Sequence, residues 1–188
     1  MTCIVGYVKG GDVYMGADSF VGGEWSRYQT AEPKVRVLAV PGLRHPVLVA
    51  VTGLLRIKTI LDHMSMPAMI ADQRRWVDEI FIDALRQAMW AAGYIKWEDG
   101  QEQMPEPNVL LMGFGGHLYS IENNFQVLQV AQPYLAEGAG MFHAEGAMAA
   151  MESIKPVIAP KRRVELALRA AAAHSPYVAP PYAIFRTG

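Results

Sequence analysis

Apolar and polar positions alternate from the first residues of the chain. Residues 3–9 and 12–17 are short β-branched and aromatic runs separated by Gly10-Gly11-Asp12, the pattern of a hairpin. Residues 20–33, with Gly22-Gly23, Glu24 and Pro33, read as loop or irregular strand. Residues 35–40 and 47–52 form a second strand pair across Pro41-Gly42-Leu43-Arg44-His45-Pro46, and Gly53 is expected to end the strand and open a helix. In that helix Leu54, Ile57, Leu61 and Met64 recur at helical spacing before Pro67. A longer helix is expected over residues 73–93, with Trp76, Ile80, Ala84, Ala88 and Ala91 on one face and Gly93 as its terminator. Residues 96–107 are polar and proline-bearing, an exposed loop. Residues 109–114, 118–121 and 125–130 follow as a three-stranded meander. Helical pattern returns over 140–152 (Met141, Ala144, Met148, Met151) and from Pro160 to Ala173, where Val164, Ala167, Leu168 and Ala171 make the apolar stripe. Residues 182–185 close the chain as an edge strand.

Hairpin-linked strands grouped apart from helices imply an α+β fold rather than a doubly wound one. Two mainly antiparallel sheets packed together, with a helix pair on each outer face, satisfy the order: a four-layer αββα sandwich. At 188 residues, with no repeat or linker, residues 1–188 are expected to form a single domain.

Composition narrows the function classes. The chain is 52% hydrophobic and only 19% charged, which excludes a disordered chain and hints at apolar surface covered by partner subunits. A net charge of −1 gives no electrostatic reason to expect a nucleic-acid or anionic-membrane partner. No apolar run reaches the roughly 18 residues of a membrane span. The single cysteine, Cys3, excludes an internal disulfide framework and a cysteine-cluster metal site. Strand-type alternation begins at once with no leader pattern, so a cytoplasmic location is the expectation.

Candidate chemistry starts at Thr2. Removal of Met1 places an α-amine and a hydroxyl on one residue. Because an α-amine has a reference pKa of about 7.7–8.0, a useful fraction is neutral near physiological pH and can serve as base for the hydroxyl. Asp18, in Gly16-Ala17-Asp18-Ser19, and Lys34, in Glu32-Pro33-Lys34-Val35, are ionisable residues beside apolar strands, where burial demands pairing. Such a pair near the amine would hold positive potential that favours the deprotonated nucleophile. A chain that merely begins Met-Thr, a turn aspartate and a solvated lysine are the plain alternatives. Gly113-Phe114-Gly115-Gly116 lacks the lysine and helix start of a phosphate loop and reads as a turn; His143-Ala144-Glu145 and Lys161-Arg162-Arg163 read as surface helix. Met64, Met66, Met69, Met141, Met148 and Met151 read mostly as core filling, with subunit contacts as the alternative. No cofactor or metal is expected.

Taken together, Thr2-Cys3-Ile4-Val5-Gly6, the hairpin, Gly16-Ala17-Asp18-Ser19, Lys34-Val35 and Val51-Thr52-Gly53 resemble a proteasome β-type subunit, and are similar to the bacterial HslV-type peptidase of that family of N-terminal-nucleophile hydrolases. Thr2, Asp18 and Lys34 stand sixteen and again sixteen residues apart, like the family's catalytic threonine, aspartate and lysine. At about 6% abundance each, two such residues fall at fixed offsets by chance roughly once in 250. Leu118-Tyr119-Ser120-Ile121 and the Glu137-Gly138-Ala139-Gly140 turn follow the family's layout.

The resemblance implies a threonine-type endopeptidase in which Thr2 attacks a peptide carbonyl, its amine relays the proton, Lys34 and Asp18 tune the site, and the Gly53 N–H stabilises the oxyanion. It implies a self-compartmentalising homo-oligomeric ring, six- or seven-fold, with polypeptide substrate and a separate ATPase unfoldase as partner. Two departures stand out. Ala139 occupies the position of a supporting serine, and His174, in Ala173-His174-Ser175-Pro176, stands where a supporting carboxylate is expected. The absence of a propeptide before Thr2 fits the HslV-like branch. The alternatives are a catalytically degenerate, α-type-like structural ring subunit and an N-terminal-nucleophile amidase acting on a small molecule. Cleavage preference and ring symmetry are not legible in the sequence.

Overall fold

The computed structural model describes residues 2–22, 27–98, 100–105, 108–154 and 157–188. Met1, Gly23 and Glu24, and Asp99, Glu106 and Pro107 of the expected 96–107 loop, lie outside these residues.

The chain opens with β1 (Cys3–Lys9) and β2 (Asp12–Asp18), joined through Gly10 and Gly11, whose φ angles of 62° and 86° make the two-residue turn that suits right-twisted strands. Next come the short hairpin β3 (Phe20–Gly22) and β4 (Arg27–Gln29), then β5 (Val35–Leu38) and β6 (Val47–Val51). Helix α1 (Arg56–His63) is followed by α2, which is α-helical over Gln73–Arg75, π-helical over Trp76–Phe81 and α-helical again over Ile82–Ala91. The second half carries the hairpin β7 (Lys96–Glu98) and β8 (Gln101–Gln103), then β9 (Leu110–Phe114), β10 (His117–Ile121), β11 (Val127–Gln129) and β12 (Tyr134–Gly138). Helices α3 (Met141–Ile154) and α4 (Pro160–His174) and strand β13 (Tyr182–Arg186) complete it.

One sheet has the order β12-β1-β2-β13 and the other β11-β10-β9-β6-β5, with every pairing antiparallel. Strand alternation divides their residues among three apolar layers. Ile4, Val13 and Met15 meet Leu48, Leu111 and Leu118 between the sheets. Cys3, Val5 and Tyr7 face Ala144, Met148, Val164, Ala167, Leu168 and Ala171 of α3 and α4. Val47, Val49, Met112 and Tyr119 face Ile57 and Leu61 of α1 and Trp76, Phe81 and Leu85 of α2. This is the expected αββα sandwich. Among the described residues no helix is long and apolar enough to cross a membrane.

Three local expectations are corrected, and one strand is added. The fully buried stripe of α2 is Trp76, Phe81, Leu85 and Met89, with Ile80 and Ala88 only partly buried beside it and Ala91 exposed, because the π-helical turn spaces Trp76 and Phe81 five residues apart and advances the stripe by one position. Helix α1 begins at Arg56, since Gly53 sits at φ 78° and Leu54 is 51% exposed on the connection before it. Residues within 96–107 form a short hairpin instead of a plain exposed loop, and Met104 is fully buried; of the two readings of 20–33, the strand one holds for the β3–β4 hairpin. Strand β12, which the apolar pattern does not announce, pairs with five successive residues of β1.

Candidate active site

The turn at Gly10-Gly11 fixes the β1–β2 register, with Lys9 opposite Asp12 and Ile4 opposite Ala17. Asp18 is thereby carried to the end of β2 that lies beside the start of β1. Its Oδ1 accepts the Cys3 N–H at 2.9 Å and its Oδ2 the Phe20 N–H at 2.9 Å. Lys34, one residue before β5, donates from Nζ to Oδ1 at 3.1 Å and Oδ2 at 3.2 Å, and also to the Phe20 carbonyl. Both side chains are almost completely buried. Burial pulls the Lys34 ammonium below its ordinary value, and the Asp18 charge opposes that shift.

Thr2 precedes β1 and is 1% exposed. Its carbonyl accepts the Ala139 N–H at 2.8 Å. The close approach depends on Gly138, at φ 86°, where a Cβ would fall 2.1 Å from the Thr2 oxygen. Thr2 is therefore held from two sides, through its own carbonyl by the β12–α3 turn and through the next amide by Asp18. Burial, with the Asp18 charge as a second cause, pushes the Cys3 thiol up to about 12, so Cys3 supplies no thiolate near neutral pH.

Thr2 lines an open cavity of about 680 Å³, with Thr52, Gly53, Leu54, Asn108, Asn123, Glu137 and Ala139 among its other wall residues. The Thr52 N–H is committed to the Val109 carbonyl at 2.9 Å and the Leu54 N–H to Asn108 Oδ1 at 2.8 Å. Gly53 lies between these two fixed amides. Ala139 faces the cavity and has no hydroxyl to offer. His174 is not brought to the cavity wall: it is exposed at the end of α4, with its ring centroid 4.9 Å from that of His143. Among the described residues no group of three histidine, cysteine, aspartate or glutamate side chains is placed to hold a metal.

Glu137 is the wall residue whose role the sequence did not announce. Its carboxyl is raised to about 7, first by burial and then by the charges of Glu122 and Glu145, against a hydrogen bond with Ser120. An acid raised in the folded state binds more protons there than in the unfolded chain. This group therefore makes stability fall as pH rises from about 4.5 to about 7. Glu137→Gln is expected to remove that slope and to stabilise the protein at pH 8 by about 1–2 kcal/mol, after allowance for partial exposure. Thermal melts of both proteins from pH 4 to pH 8 check this, and parallel profiles would contradict it.

No family model matches the chain, and no curated protein matches it in sequence. Solved structures do match over its length. BPH of Thiobacillus denitrificans superposes with a TM-score of 0.77 at 20% identity, covering 98% of this chain and 97% of that one, and is also known in complex with epoxomicin. Eukaryotic HslV from Trypanosoma brucei gives 0.66 at 15% identity, with 98% of each chain covered. Anbu (ancestral beta-subunit) from Yersinia bercovieri gives 0.67 at 13% identity, with 100% of this chain and 81% of that one covered. The layers, strand order and end-to-end superposition give this chain the proteasome-like sandwich fold.

Proposed function

We propose that the chain is a threonine-type N-terminal-nucleophile peptidase with Thr2, freed by removal of Met1, as the nucleophile. The observation that carries the reading is the buried Asp18–Lys34 pair, hydrogen-bonded to the amide that follows Thr2. A shell without chemistry gains little from two charges taken out of water at this place, since a buried pair is weak evidence of stability.

In the proposed reaction the Thr2 α-amine takes the hydroxyl proton, directly or through one water, as Oγ attacks the peptide carbonyl. The positive potential of Lys34, itself oriented by Asp18, favours the deprotonated nucleophile. The Gly53 N–H, between two amides already bonded to protein, donates to the oxyanion. The ammonium then returns its proton to the leaving amine, and water hydrolyses the acyl ester by the same relay. Every group needed belongs to the chain, and no cofactor is invoked.

The reading extends to a cytoplasmic homo-oligomeric ring on polypeptide substrate, fed by a separate ATPase. Exposed apolar side chains on α3, with Phe142 at 76% and Ile154 at 77%, support coverage by neighbouring subunits. Ala139 favours a second reading, the degenerate structural subunit, because the residue that holds Thr2 carries no hydroxyl to support the amine. Intact mass with and without an epoxyketone separates the two, since this warhead needs an amine and a hydroxyl on one residue. Loss of Met1 with one added inhibitor is the expected result. Met1 retained with no adduct would leave the structural subunit.

A further inference from the structure

Glu137 is the one wall residue of the cavity, among those described, with an ionisable side chain. Register puts it there. It stands opposite Ile4 in the β1–β12 ladder and so shares the inter-sheet face of Ile4, away from the helix-covered face of Cys3 and Val5. Across the gap, the Ser120 hydroxyl of β10 lies 3.2 Å from Glu137 Oε1 and 3.0 Å from Glu122 Oε1. One hydroxyl has one proton to donate. When Ser120 gives it to Glu122, Glu137 makes its own contact only by carrying a proton; when both carboxyls are ionised, they compete for a single donor.

The charges acting on Glu137 are those of Glu122, beyond the end of β10, and Glu145, on α3. Both are negative. Among the described residues the acid thus faces the cavity with a shared hydroxyl and no counter-charge, and a cation entering the cavity would supply one. The walls suit a long cationic side chain, because Leu54, Val109 and Met141 offer apolar surface to its methylene stem. The volume of about 680 Å³ accommodates it.

We propose that Glu137 is the specificity-determining residue of this cavity, selecting peptide segments that place a lysine or arginine side chain against it. The inference rests on the peptidase reading and adds the substrate class. As the cation docks, the carboxyl ionises and its proton passes to solvent, so the preference strengthens as pH rises through the neutral range. The Asp18–Lys34 pair lies behind Thr2, outside the cavity wall, and takes no part.

The test is digestion of an unbiased peptide pool at pH 8 and at pH 6, with cleavage sites mapped by mass spectrometry. The quantity read is the ratio of basic to neutral residues at each position around the cleaved bond, which cancels titration of the Thr2 amine. About tenfold enrichment of lysine and arginine at one position is expected at pH 8, the factor corresponding to a modest ion pair. It should shrink at pH 6 and fall near unity in both Glu137→Gln and Glu137→Leu. Absence of enrichment in the wild type, or enrichment that survives both substitutions, would overturn the inference. A protein that takes the epoxyketone yet cleaves without basic preference loses this inference alone. One that neither takes the adduct nor cleaves loses the peptidase reading, and the inference with it.

Discussion

Thr2→Ala is expected to lower peptide hydrolysis by a factor on the order of 10⁴–10⁶, the range seen when an activated nucleophile is deleted. The loss should come without loss of structure. Thr2 is anchored through its carbonyl, which accepts the Ala139 N–H, and through the Cys3 amide held by Asp18; the substitution touches neither contact. The melting temperature should therefore stay within a few degrees of the wild type. Alanine at this position still permits removal of Met1, so processing is unchanged and the hydroxyl is the variable. Thr2→Ser, which keeps the hydroxyl, should retain measurable turnover and the epoxyketone adduct. Wild-type turnover in Thr2→Ala would eliminate the mechanism.

Lys34→Ala is expected to cost both catalysis and stability, and the two must be separated. It leaves the Asp18 carboxylate buried without its cation, which destabilises by about 3–5 kcal/mol and lowers the melting temperature by roughly 10 °C. Turnover should fall by about 10²–10⁴. The double substitution Asp18→Asn with Lys34→Met removes both charges at similar volume. It should recover part of the stability, because no charge is left buried, but an amide in place of the Asp18 carboxylate can accept only one of the Cys3 and Phe20 N–H groups. Catalysis should not recover. A double variant with normal turnover would make the pair a structural feature only.

Elements with strong local signals were the legible ones. The glycine turn between β1 and β2 and the apolar stripe of α4 (Val164, Ala167, Leu168, Ala171) stand where the pattern predicts. Asp18 and Lys34 were legible as candidates because charged residues beside apolar strands need a reason, and they do pair. Strand β12 was not legible, since Glu137 and Gly138 interrupt its apolar pattern and its stability comes from pairing with the distant β1. The π-helical turn in α2 has no compositional mark, so the face it presents could not be phased from periodicity alone. The role of Glu137 carries no sequence signal for a related reason. Its importance comes from Ser120, on the other sheet, and from Glu122 just beyond that strand, and a contact made across the gap between two sheets shows in neither helical nor strand periodicity. His174, which the resemblance places where a supporting carboxylate is expected, is not among the wall residues of the cavity and lies against His143 instead.

The two-sided anchoring of Thr2 bears on how the site would come into being. Both anchors act on atoms downstream of its α-nitrogen: its carbonyl oxygen and the amide of Cys3. Cutting the bond before Thr2 therefore disturbs neither. In the proposed enzyme, maturation changes the charge and chemistry of one nitrogen while the framework around it is already in place. Such preorganisation means that no further ordering of the backbone has to be repaid when substrate arrives. The trigger for activity is then chemical rather than conformational.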